Sequence, residues 1–183
     1  MDSSTLIGIA GGVILVAGAA FPERAVRPYR SVKDWLFAVG GIFTLAYSIM
    51  NYLAGGTVFF VFLQGLVNLS SVFMMFEVDE RIGTPIIGLG GLGLIVWSLW
   101  LLPGYSTIFF ILGLAGIAMG YCSKGGTSHR EFALALGSAL ITYFSYIENN
   151  QVFFWLNLFF ALFAGIQLLI MRGGSQESKK VQV

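Results

Sequence analysis

Seven blocks of apolar residues, each about 17 to 20 long, divide this chain. That is about the length a helix needs to cross some 30 Å of hydrocarbon at 1.5 Å per residue. The blocks run Thr5–Phe21, Trp35–Leu53, Thr57–Phe76, Pro85–Leu102, Tyr105–Tyr121, Phe132–Glu148 and Val152–Met171. Only 10% of the 183 residues are charged and 57% are hydrophobic, whereas a soluble domain is about 25% charged. The pattern predicts an all-α integral membrane protein of seven transmembrane helices, with residues 1–171 as a single membrane domain. Residues 172–183, with Gly173, Gly174, Ser175, Gln176, Glu177, Lys179 and Lys180, have too little to bury and are expected to form a disordered tail.

Charge fixes the expected orientation. If the loops alternate, all 10 lysines and arginines fall on one side: Arg24, Arg27, Arg30 and Lys33, then Arg81, Lys124 and Arg130, then Arg172, Lys179 and Lys180. The other side carries only Asp2 and Glu148. By the positive-inside rule the basic side is cytoplasmic, with the N-terminus outside and the C-terminus inside, as in a multi-pass protein of a cell (inner) membrane. Ala17-Gly18-Ala19 resembles a signal-peptidase site, but Asp2 and the lack of a preceding basic residue favour a retained first helix.

The two ends of the chain resemble each other. At an offset of 97, Ser31, Lys33, Asp34 and Trp35 align with Ser128, Arg130, Glu131 and Phe132, and Gly40, Tyr47 and Ser48 with Gly137, Phe144 and Ser145. After three residues drop out, Val58-Phe59-Phe60 aligns with Val152-Phe153-Phe154. Residues 5–76 and 105–171 therefore read as parallel three-helix repeats. The helix at 85–102 is the extra span that restores orientation, a 3+1+3 arrangement with an inversion linker.

That arrangement resembles the SWEET and PQ-loop transporter superfamily. Pro22 ends the first helix where the family places Pro-Gln, with Glu23 following it here, and Tyr29-Arg30-Ser31-Val32 resembles the basic-then-serine stretch before the second helix. Pro22, Pro28, Pro85 and Pro103 all fall at expected helix ends or in loops rather than at the family's mid-helix hinges. Gly40, Gly41, Gly113, Gly116 and Gly137 are the alternative sources of flexibility. The resemblance implies a facilitative transporter of a small, largely uncharged polar solute such as a sugar, vitamin or amino-acid-like molecule. Two rival readings are a solute-binding subunit of a larger energised transporter and a non-transporting receptor or assembly factor.

Candidate chemistry is sparse. No ionisable residue lies near the middle of a span, so no proton relay is expected there. Amides do occur at depth: Gln64 and Asn68 in the third helix, Asn157 and Gln167 in the seventh. The resemblance makes Gln64, Asn68 and Asn157 candidates for solute contact, since those helices line the family's substrate path. Interhelical hydrogen bonding is the other explanation. Tyr47, Tyr143 and Tyr146 lie deep enough to stack on a solute, or else act as belt or packing residues. Glu148 is the carboxylate that would line an outward vestibule or serve as a coupling site, against an interfacial role beside Asn149 and Asn150. The lone Cys122 and lone His129 form no metal site. No phosphate loop or nucleophile motif is present, so neither enzyme nor cofactor is expected. Gly8-x-x-x-Gly12 and Gly116-x-x-x-Gly120 permit close helix approach, either within the chain or with a second copy of it, and the other expected partners are a solute and the bilayer. No nucleic-acid partner is expected.

Overall fold

The structure, a computed structural model, describes residues 3–20, 32–76, 78–101, 104–123 and 127–180. These form seven helices and no strand. In chain order they are α1 (Ser3–Ala20), α2 (Val32–Leu53), α3 (Phe59–Met75), α4 (Glu80–Leu101), α5 (Ser106–Cys122), α6 (Ser128–Ile147) and α7 (Gln151–Lys180). Pro22, Glu23 and Tyr29-Arg30-Ser31, which carry the family resemblance, lie outside the described residues, as do Arg24, Arg27 and Lys124.

Side-chain caps explain several starts. Asp79 accepts from the Arg81 amide at 2.9 Å and starts α4. Thr127 accepts from the Arg130 amide at 3.3 Å and starts α6. Asn150 accepts from the Phe153 amide at 3.2 Å and starts α7. The ends of α2 and α6 share one device. Gly55 (φ 94°) and Asn149 (φ 54°) adopt the left-handed conformation, and the next amide reaches back five residues: Gly56 to the Asn51 carbonyl, Asn150 to that of Ser145, both at 2.9 Å.

The chain runs up and down around a ring. Consecutive helices pack side by side, α7 returns against α1, and α4 sits outside the ring between α3 and α5. Two glycine crossings hold the ring together. A Cβ on Gly40 would lie 3.0 Å from both the Gly11 carbonyl oxygen and the Leu15 nitrogen of α1. One on Gly137 would lie 2.8 Å from the Gly113 oxygen and 2.7 Å from the Ile117 nitrogen of α5. Gly8 faces Tyr47, whereas Gly12 turns toward Leu156, so the face α1 offers to α2 is built on Gly8 and Gly11.

Three helical segments are long and apolar enough to cross a membrane: Val32–Leu53, Arg81–Leu101 and Gln151–Met171. Among the described residues these three meet the length and composition of a span, and Ser3–Ala19, Phe59–Phe73 and Ser106–Cys122 are shorter apolar helices. α3 and α5 have 17 residues each, about 26 Å of helix, and α6 opens with His129, Arg130 and Glu131. Apolar side chains cover much of the outside, with Trp100 82%, Leu169 69% and Leu89 69% exposed.

Two expectations change. α4 begins at Glu80, not at Pro85; the proline lies inside the helix, where it can offer no amide to the Arg81 carbonyl. The segment from Arg172, expected to lack order, continues α7 as helix to Lys180. Extending an existing helix needs no new nucleus.

Candidate functional site

A cavity of about 390 Å³ lies inside the ring. Most of its lining falls into matched pairs. α1 and α5 contribute Leu15 with Ile117 and Ala19 with Tyr121, at an offset of 102. α2 and α6 contribute Lys33 with Arg130, Asp34 with Glu131 and Phe37 with Leu134, at an offset of 97. α3 and α7 contribute Leu63 with Leu156, Gln64 with Asn157, Val67 with Phe160 and Ser71 with Ala164, at an offset of 93. The glycine crossings obey the same offsets, since Gly11 and Leu15 stand to Gly40 as Gly113 and Ile117 stand to Gly137. Constant offsets thus relate the lining residues of α1, α2 and α3 to those of α5, α6 and α7, and α4 contributes none.

These pairs correct the sequence alignment by one residue in the third helix of each unit. Val58-Phe59-Phe60 matches Val152-Phe153-Phe154 letter for letter, but the side chains that occupy equivalent places are Phe60 and Phe153. That register brings Gln64 and Asn157 into correspondence.

One end of the cavity is closed. Phe60 and Phe153, both fully buried, stack at 4.4 Å with 4° between their planes. Phe144 packs on Phe60 at 5.5 Å, and Tyr47, its equivalent in the first unit, on Phe153 at 5.8 Å. Phe59 and Phe110, 4.9 Å apart, complete the plug. Offset and tilted rings at such spacings attract beyond the area they bury. At the other end the lining is Lys33, Asp34, Arg130 and Glu131, with Tyr121, Gln167 and Met171. Glu131 is buried, with its carboxylate 3.6 Å from the Arg130 guanidinium. The mouth therefore carries equal numbers of cations and anions.

Gln64 and Asn157 sit one helical turn from the stacked rings. Both are buried, at 3% and 6% exposure. Asn157 gives its amide nitrogen to the Phe153 carbonyl at 2.8 Å. The Gln64 nitrogen has no hydrogen-bond partner among the described residues, a costly condition for a buried donor.

The other candidates lie elsewhere. Asn68 is turned toward α2, where its nitrogen donates to the Gly41 carbonyl at 3.0 Å, and it does not line the cavity. Tyr47 belongs to the plug and donates to Asn150. Tyr143 is about half exposed and packs edge-on to Phe109, while Tyr146 is 64% exposed and lies against Phe154. Glu148 is exposed at the plugged end, accepting from the Ser106 hydroxyl at 3.3 Å. Gln167 lines the mouth. The four charged mouth residues were visible in the sequence as the strongest segment of the repeat, but only their convergence on one cavity marks them as part of a site. No group of three His, Cys, Asp or Glu side chains suited to a metal ion occurs among the described residues.

Comparison with family models, with characterised proteins and with solved structures finds no match.

Proposed function

We propose that this chain is a facilitative membrane transporter of a small, largely uncharged polar solute. In this reading all seven helices cross the bilayer, with the N-terminus outside and the C-terminus cytoplasmic, and the two three-helix units rock about the cavity between them. The observation that carries it is a cavity lined largely by residues that match between two repeats, with buried aromatic rings at one end and charged side chains at the other. A site at the interface of two repeats, reachable from one side at a time, is what alternating access requires. The volume is in the range of small-molecule pockets. Helices of 17 residues are at the lower limit for a span, which local thinning of the bilayer accommodates at modest cost. The SWEET and PQ-loop resemblance belongs to the same proposal.

The test is uptake of a radiolabelled panel of neutral solutes into liposomes holding the purified protein, with and without a pH gradient. Equilibration of at least one solute, unaffected by the gradient and lost when Ala164→Trp fills the cavity, is the expected result. Accumulation above equilibrium that disappears in Glu148→Gln would overturn it in favour of a proton-coupled carrier. Uptake no faster than in protein-free liposomes for every solute would overturn it in favour of a non-transporting protein.

A further inference from the structure

The outer surface limits the kind of bilayer that can surround it. Tyr52, Trp100, Tyr105, Tyr146 and Trp155 are exposed, and all stand at the plugged end: in the last turns of α2, α4 and α6, just before α5 and near the start of α7. Each joins an apolar ring to a polar O–H or N–H, the combination that settles at a membrane–water interface. At the opposite end Lys33, Arg81 and Arg130 stand in the first turns of α2, α4 and α6, and Arg172 follows the apolar part of α7. Between Trp35 and Tyr52 the exposed side chains of α2 are Val39, Ile42, Phe43, Ile49 and Met50, all of them apolar.

The two kinds of marker bracket a measurable length. Lys33 and Tyr52 are 19 residues apart, as are Arg81 and Trp100; Arg130 and Tyr146 are 16 apart, and Trp155 and Arg172 are 17. At 1.5 Å per residue these are about 24 to 29 Å of helix, and an average tilt of about 20° lowers the height to about 23 to 27 Å. A typical hydrocarbon core is about 30 Å thick, and a sterol-rich one about 32–33 Å. Four helices therefore define a short apolar belt, so the shortness is not confined to α3 and α5.

We infer that the lipid partner of this chain is a thin bilayer, poor in sterol and built from short or monounsaturated chains, with a hydrocarbon core of about 27 Å or less. This rests on reading the seven helices as spans, and on no property of the solute.

The experiment is thermal unfolding of the full chain in vesicles of dipalmitoleoyl, dioleoyl and dierucoyl phosphatidylcholine, whose cores thicken in that order, and in dioleoyl vesicles with added cholesterol. The unfolding temperature is expected to be highest in one of the two thinner bilayers, and several degrees lower in dierucoyl vesicles and on adding cholesterol. Tyr52→Leu combined with Trp155→Leu removes two outer anchors and should shift the optimum toward longer chains. A maximum in dierucoyl vesicles, a rise with cholesterol, no dependence on chain length, or an unchanged optimum in the folded double variant would overturn the inference. Lipid brominated beside the headgroup should quench Trp100 when Trp35, Trp97 and Trp155 are changed to Phe; no quenching would mean that a second copy of the chain covers this ring, and would also overturn it. A thick-bilayer optimum with cysteines labelled from both sides of the membrane would remove the thin belt and leave the seven spans standing. Labelling from one side alone would remove the spans, and with them both this inference and the transport reading.

Discussion

The Tyr47 hydroxyl donates to Asn150 Oδ1 at 3.0 Å, joining two residues 103 positions apart. The same oxygen accepts from the Phe153 amide and caps α7. One side chain thus ties α2 to the start of α7 beside the aromatic plug. Tyr47→Phe removes the tie and keeps the ring, and should cost about 0.6 to 1.5 kcal/mol. Asn150→Ala also removes the cap and should cost about 1 to 3 kcal/mol. Unfolding of both single variants and the double variant in detergent checks this, and the double should fall short of the sum because the two residues share a bond.

Glycine crossings set how closely α1 packs on α2 and α5 on α6. Gly137→Ala drives a methyl into backbone atoms of Gly113, Gly116 and Ile117, the last at 2.7 Å, none of which can swing aside. A loss of about 1 to 3 kcal/mol is expected. Gly165→Ala in α7 meets nothing within 4 Å and should be neutral or stabilise by up to about 1 kcal/mol. Thermal unfolding of the pair reads the contrast.

Asn68 and Asn157 are both amides in apolar helices, but only Asn157 lines the cavity. In the transport reading Asn157→Leu raises KM for the solute several-fold. Asn68→Leu breaks the bond to the Gly41 carbonyl, lowering stability by about 0.6 to 2 kcal/mol with KM unchanged. Concentration-dependent uptake and thermal unfolding of both variants separate the two roles.

For topology, single cysteines placed in a Cys122→Ser background at Ser31, Thr127 and Ser175 should react with a membrane-impermeant maleimide only from the cytoplasmic side. Those at Gly55 and Asn149 should react only from outside. Reaction of Ser31→Cys and Gly55→Cys from the same side would break the seven-span arrangement.

All seven helices correspond to apolar blocks in the sequence, because an unbroken apolar run of that length leaves the backbone few other ways to satisfy its hydrogen bonds. The helices α2, α4 and α6 begin three to five residues before their apolar blocks for one physical reason. Their first turns are polar, with Lys33 and Asp34, Glu80 and Arg81, and His129, Arg130 and Glu131, and hydrophobicity alone assigns such residues to loops. Capping by Asp79 and Thr127 makes them helix. The same error hid the mouth of the cavity, which two of those turns supply. Gln64 and Asn157 could be picked out as amides at depth, but Asn68, four residues from Gln64, is rotated only about 40° around the helix. That angle separates a cavity face from an interface with α2, and the sequence does not give the position of α2. Val58-Phe59-Phe60 and Val152-Phe153-Phe154 are identical in letters but not in the faces they present, so the α3 to α7 register differs by one residue from the one the letters suggest.

The aromatic plug has an electrical consequence in the membrane reading. A cavity filled with cytoplasmic water carries the cytoplasmic potential inward nearly to Gln64, so most of the transmembrane voltage drops across the short stack of Phe60, Phe153, Phe144 and Tyr47. A full charge moved through that layer would exchange about 2.3 kcal/mol with each 100 mV, whereas a neutral solute crosses it with no such coupling. The thin insulator lies one turn from the amides, so a Gln64→Glu carboxylate, if ionised, would sit at the steepest part of the field.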